Sequence, residues 1–184
     1  RLVPDVTTHM LNQAAEMSVA LAPEGLPSTI SINTTVSDLM QSDMPGKVEE
    51  VLKRVGVEPA SLKLELTESS VASDLQSAKD VLHALHDLGV LLSIDDFGTG
   101  YSSLSYLSAF PIHEVKIDRH FVSDMTRNPR NRSIVRSTIL MASELGLQTV
   151  AEGAEDKATL ELLTEYKCDR VQGYVFAQPL SEAD

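Results

Sequence analysis

The spacing of apolar residues switches between a helical period and strict alternation along this chain, and the switches divide it into elements. Residues 4–21 place Val6, Met10, Leu11, Ala14, Met17, Ala20 and Leu21 at helical spacing, with Pro4 at an early helical position. The breaker cluster Ala22-Pro23-Glu24-Gly25-Leu26-Pro27 ends that helix. Thr29–Asn33 alternates as a short strand, and a second helix over about 46–55 (Val48, Val51, Leu52, Val55) closes on Gly56. Leu62-Lys63-Leu64-Glu65-Leu66-Thr67-Glu68 alternates most cleanly, with leucines on one face and polar groups on the other. Ser73 and Gln76 form a capping-box pattern for a helix over 74–88, which buries Leu75, Ala78, Leu82, Leu85 and Leu88 and stops at Gly89.

The apolar run from Val90 to Ile94 then delivers Asp95 and Asp96 into the polar loop Gly98-Thr99-Gly100-Tyr101-Ser102-Ser103. A short helix over 102–109 ends before Pro111, and Glu114–Asp118 alternates again. A longer helix over 128–146 takes its stripe from Ile134, Ile139, Leu140, Ala142 and Leu145. Strand Gln148–Gly153, a helix over 156–166 and strand Arg170–Tyr174 complete the chain.

Six strands alternating with helices imply an α/β fold with a parallel sheet. An open doubly wound sheet and a closed barrel both satisfy that order. The side chains that alternation turns to one face are Ser31 and Asn33, Lys63, Glu65 and Thr67, Ser93 and Asp95, Lys116 and Asp118, Val150 and Glu152, and Gln172. Polar groups recurring at the same end of successive strands fit the mouth of a (β/α)8 barrel. Such a barrel needs about two more strands, expected before Arg1, which opens the chain without a methionine. The 184 residues are read as most of one domain.

Charge narrows the partners. Fifteen Lys and Arg against twenty-seven Asp and Glu give −12, which opposes binding to a long nucleic acid. The single cysteine, Cys168, excludes an internal disulfide and suits a reducing compartment. No run is long and apolar enough to span a membrane, so a cytoplasmic chain is expected, with any anchor in upstream segments.

The strand ends gather Asn33, Glu65, Asp95, Asp96, Asp118, Glu152 and Gln172 around Lys116. Several carboxylates at one partly buried mouth need cations to stay ionised. Oxygen donors without His or Cys favour magnesium or manganese over zinc. Two such ions roughly 3.5–4 Å apart suit attack of water on a phosphate ester, with Asp95 as a bridge and Lys116 orienting or deprotonating the water. Of the five histidines, His83 and His86 lie three apart on a helix and are assigned to a solvated face. Tyr174 and Phe176 could stack on a base or pack at the barrel rim.

Leu64-Glu65-Leu66-Thr67-Glu68-Ser69, Asp95-Asp96-Phe97-Gly98-Thr99-Gly100-Tyr101-Ser102-Ser103, Lys116-Ile117-Asp118, Ala151-Glu152-Gly153-Ala154-Glu155 and Gln172-Gly173-Tyr174 together resemble the successive motifs of bacterial EAL domains. The resemblance implies a modified (β/α)8 barrel that uses two Mg2+ or Mn2+ ions to hydrolyse cyclic di-GMP to linear pGpG, with Ca2+ inhibitory. Carried over by motif, Asn33, Glu65, Asp95, Asp96 and Glu152 are metal ligands, Lys116 contacts the catalytic water, and Asp118 and Gln172 line the site. Glu68 anchors the loop containing Gly98, Thr99 and Gly100, and Glu155 supports it.

The resemblance also implies a homodimer and upstream sensory or diguanylate-cyclase-like domains. Two departures stand out: the Glu-Ala-Leu signature and its following arginine are not in the chain, and the Asn-Leu-Ser segment reads Asn33-Thr34-Thr35. The alternatives are a catalytically inactive cyclic di-GMP receptor or regulatory interaction domain, and another metal-dependent barrel enzyme with Lys116 as base.

Overall fold

The computed structural model describes residues 3–24, 29–40, 43–68, 70, 75–99 and 104–178. Its helices are α1 (Val3–Leu21), α2 (Val36–Met40), α3 (Met44–Val55), α4 (Leu75–Asp87), α5 (Leu104–Ala109), α6 (Arg119–Val122), α7 (Pro129–Glu144) and α8 (Lys157–Glu165). The strands are β1 (Ile30–Thr34), β2 (Leu62–Thr67), β3 (Leu91–Phe97), β4 (Glu114–Ile117), β5 (Gln148–Glu152) and β6 (Arg170–Gln172). Strand order follows chain order, as repeated βα units produce. Ser73 of the expected capping box, with Gly100 and residues 101–103, lies outside the described residues.

Two compact units divide the chain, one of Arg1–Ile94 with Ser103–Ile112, the other of Asp95–Ser102 with His113–Asp184. In the first, β1 and β2 pair in parallel, with Ser31 opposite Lys63 and Asn33 opposite Glu65. The leucines of β2 are buried, and so are Lys63 and Glu65 on its other face. A strand covered on both sides is the usual condition of a parallel sheet. The cap of α2 is a reciprocal box that the hydrophobic pattern did not signal: Thr35 Oγ1 accepts from Asp38 N at 3.1 Å, while Asp38 Oδ2 accepts from Thr35 N at 3.1 Å. Gly56 ends α3 in the left-handed conformation its position called for.

Helix α1 packs on β1 and α3, through a narrower face than its large apolar residues suggested. Thr7, Leu11, Ala14, Ala15 and Ser18 are buried, whereas Val6, Met10 and Met17 are exposed. Small side chains flank Leu11 on the buried face, so bulk alone does not mark the contact. Helix α7 in the second unit departs likewise, for Asn131, Val135, Thr138, Ile139 and Ala142 form the buried stripe at i, i+4, i+7, i+8 and i+11. Leu140 and Leu145, counted in that stripe from sequence, are exposed.

In the second unit β4 pairs with β5 (Lys116 opposite Val150) and β5 with β6 (Glu152 opposite Gln172), both in parallel. Its core joins Ile117, Val122, Met125, Val135, Ile139, Ala151, Ala154 and Leu163. Cys168 packs against that core, and burial pushes its thiol upward, away from the thiolate form. Asp169 Oδ2 accepts from both the backbone N and Oγ1 of Thr149, each at 2.8 Å, and so ties the start of β6 to β5.

Candidate metal centre

The C-terminal ends of β3, β4 and β5 supply a compact acidic cluster. Lys116 lies opposite Val150, and Glu152 follows Val150 by two residues, so Glu152 and Lys116 share one face of the sheet. Lys116 Nζ sits 2.8 Å from Glu152 Oε1 and 3.0 Å from Asp95 Oδ1, buried with 7% of its surface exposed. A lysine held there supplies the positive charge without which the carboxylates would repel one another.

Asp96 joins the cluster by a break in strand geometry. Adjacent strand residues normally face opposite sides, which would turn Asp96 away from Asp95. Asp96 instead has φ +55°, a left-handed conformation that aspartate tolerates better than most residues. Its N–H donates to its neighbour's Asp95 Oδ1 at 3.0 Å. Thr99 holds the turn by donating Oγ1–H to Asp96 O at 2.9 Å. Gly98 allows the turn with φ +98°; a Cβ there would stand 3.0 Å from the Phe121 ring.

Carboxylate oxygens of Asp95, Asp96 and Glu152 lie within 4.8 Å of one another. Three carboxylates against one ammonium leave two negative charges when all are ionised, which fits a divalent cation held by oxygen donors. Asp118 stands behind them. It caps α6 by accepting from His120 N at 2.7 Å, and it hydrogen-bonds to the Asp96 carboxyl. Burial first, then that bond and the charges of Asp95, Asp118 and Glu152, push Asp96 up to about 6.

In the metal-free protein the folded chain keeps the Asp96 proton up to pH of about 6, while the unfolded chain releases it near 3.8. The group's contribution to stability is therefore lost as pH rises from about 4 to 6. A metal ion bound through Asp96 would have to displace that proton, so Mn2+ affinity measured by calorimetry is expected to weaken roughly tenfold per pH unit below about 6 and to level off above it. Asp96→Asn should remove the pH step; a step unchanged in that variant would assign it to another group.

Beside the cluster, a cavity of about 280 Å3 is lined by Arg119, Glu152, Glu155, Gln172 and Tyr174, with Gly153 and Gly173 in its wall. Gly153 has φ +72°, and a Cβ there would stand 2.6 Å from Arg119 Cβ. Gly153→Ala is expected to lower stability by roughly 1–3 kcal/mol, read as a lower denaturation midpoint at constant slope.

The structure thus brings together Asp95, Asp96, Lys116, Asp118 and Glu152, and places Gln172 and Glu155 on the adjoining cavity. Asn33 and Glu65 are register partners in the first unit, and Glu68 is buried there with 1% exposure. Arg119, which lines the cavity, drew no notice in the sequence because a single exposed arginine carries no periodic signal.

The family model for the EAL domain matches residues 1–179. The chain belongs to the EAL domain family. Among relatives of this EAL chain is the cyclic di-GMP phosphodiesterase NbdA of Pseudomonas aeruginosa, 40% identical over 82% of the chain. The solved structure of the PaMucR phosphodiesterase in complex with c-di-GMP superposes with a TM-score of 0.91 at 33% identity, over 99% of this chain and 74% of that one. That match confirms the α/β, TIM-barrel-like fold class. The manganese and cyclic-di-GMP complex of BlrP1 from Klebsiella pneumoniae matches at a TM-score of 0.87 and 29% identity, over 96% of this chain and 45% of that one. The EAL chain spans 22%, 25% and 19% of the lengths of the first three curated relatives it matches. No helix among its described residues is long and apolar enough to cross a membrane.

Proposed function

We propose that this EAL chain carries the catalytic centre of a metal-dependent phosphodiesterase that hydrolyses cyclic di-GMP to linear pGpG. The observation that carries the reading is Lys116, buried between Asp95 and Glu152 within a cluster whose carboxylate oxygens converge to 4.8 Å. Asp95, Asp96 and Glu152 would hold Mg2+ or Mn2+, with Asp95 as the shared ligand. Asn33 and Glu65 are proposed as further ligands on the family motif. When bound, the ions neutralise the phosphoryl oxygens and make water a better nucleophile.

The protein's own groups do the positioning. Lys116 Nζ, fixed by two carboxylates, is the ammonium that would orient the attacking water or stabilise the oxygen that gains charge. Water adds to phosphorus, the P–O3′ bond breaks and the 3′ oxygen leaves with a proton. Asp118 holds Asp96 through their hydrogen bond, and Gln172 offers an amide at the cavity beside Glu152. Glu68, Gly98, Thr99, Gly100 and Glu155 support the loop after Asp96 in this reading. Homodimerisation and upstream regulatory domains in the cytoplasm belong to the same proposal.

Chromatographic separation of products after incubation with cyclic di-GMP tests it. The expected result is linear pGpG with Mg2+ or Mn2+, none with chelator, and inhibition by Ca2+. Tight binding of cyclic di-GMP without turnover in Mn2+ would overturn the enzyme reading in favour of a receptor.

A further inference from the structure

The two turns that follow the clustered carboxylates each press a glycine against the same short helix. Gly98 comes just after Asp96 and Phe97, and a Cβ built on it would stand 3.0 Å from Phe121 Cε2 and 3.6 Å from Phe121 Cδ2 and Cζ. Gly153 comes directly after Glu152, and a Cβ there would stand 2.6 Å from Arg119 Cβ and 3.3 Å from Arg119 Cα. Arg119 and Phe121 alternate in α6, so they leave the helix on nearly opposite sides. The helix therefore sits as a wedge between the turn after Asp96 and the turn after Glu152.

The wedge is itself fixed. Asp118 caps it by accepting from His120 N at 2.7 Å, Val122 is buried in the core of the second unit, and Phe121 packs against that core, partly buried. The exposed His120 ring meets the Phe121 ring edge-on, with centroids 5.5 Å apart and planes at 73°. The phenyl ring is thus braced before it reaches Gly98.

The turn after Asp96 needs such a brace. Asp96 holds φ +55°, and a residue with a side chain stays in that region only where its neighbours over-determine it. Thr99 N donates to Asp96 O at 3.3 Å, which closes a four-residue turn with Gly98 at the third position and positive φ. A glycine there makes the turn possible but also leaves it free to rearrange. The phenyl edge against Gly98 takes that freedom away. Without it the chain can relax toward extended geometry, and strand alternation then carries the Asp96 carboxylate away from Asp95.

We infer that Phe121 is a positioning residue for the acidic cluster: its ring, seated on Gly98, holds Asp96 in the conformation that turns its carboxylate toward Asp95 and Glu152. The inference takes its link to metal from the proposed function, but its effect on the turn is read without metal.

The test has two arms. NMR relaxation of the metal-free protein reads the turn: Phe121→Leu and Phe121→Met, which both keep apolar volume against the core, should lower the order parameters of the Asp96 and Gly98 amides from about 0.85 to about 0.6 and leave α7 as in the wild type. Calorimetric titration with Mn2+ reads the cluster. Affinity should fall roughly tenfold in either variant, the low end for losing an outer partner of a metal site, and neither substitution should weaken it further in an Asp96→Asn background. Order parameters unchanged in both variants would overturn the inference. So would a Mn2+ affinity that is unmoved, or that falls equally in both backgrounds, as it would for a residue that merely fills the core. A wild type that binds no Mn2+ would instead refute the metal-centre reading, and the relaxation arm alone would decide whether Phe121 holds the turn.

Discussion

Replacing Lys116 by methionine is expected to reduce turnover of cyclic di-GMP by roughly 10²–10⁴-fold, the range for losing a positioned proton-handling group. The substitution keeps much of the aliphatic stem and removes the ammonium that lies 2.8 Å from Glu152 and 3.0 Å from Asp95. Removing it also takes away a cation that competes for the same carboxylates, so Mn2+ binding should hold or strengthen. Calorimetric titration with Mn2+ beside steady-state kinetics checks the split. Loss of turnover together with loss of Mn2+ binding would reduce Lys116 to a structural countercharge.

Glu152→Gln should have the second large effect, of the opposite kind. Glu152 is one of the three converging carboxylates, one of the two partners of Lys116 and part of the cavity wall. The amide keeps the shape but removes the charge. Mn2+ affinity is expected to fall by more than the roughly 10–100-fold typical of losing an outer partner of a metal site, and hydrolysis should become undetectable at low micromolar Mn2+. Raising Mn2+ to millimolar concentrations should restore part of the rate. Full activity at low Mn2+ would remove Glu152 from the ligand set.

These two variants act on residues that alternation made legible. Lys116 sits on a short strand whose polar positions recur every second residue, Glu152 closes the next strand two residues after Val150, and parallel register puts both on one shared face. Asp96 is different, because alternation alone sends it to the opposite face from Asp95. The left-handed φ that brings it back belongs to a single residue and leaves no mark in the hydrophobic pattern. The carboxylate pair therefore drew notice as a motif, while its convergence became visible only with the backbone.

The helices show the same division. Helical period located α1 and α7, but in each only some of the large apolar residues are in contact. Val6, Met10, Leu140 and Leu145 face outward, while Ala15, Ser18 and Thr138 are buried. Close packing selects small side chains that a count of hydrophobic residues passes over. Asp118, read as a strand residue lining the site, caps α6 while it also bonds to Asp96. Cap and site geometry are thus set by one side chain.

In the proposed reaction the cluster around Lys116 directs water to phosphorus in cyclic di-GMP. Hydrolysis in 18O-labelled water with Mn2+, followed by mass spectrometry of the product, tests it most directly. The expected product is linear pGpG carrying one 18O atom in its terminal phosphate. Bound cyclic di-GMP recovered intact and unlabelled after prolonged incubation in Mn2+ would contradict it.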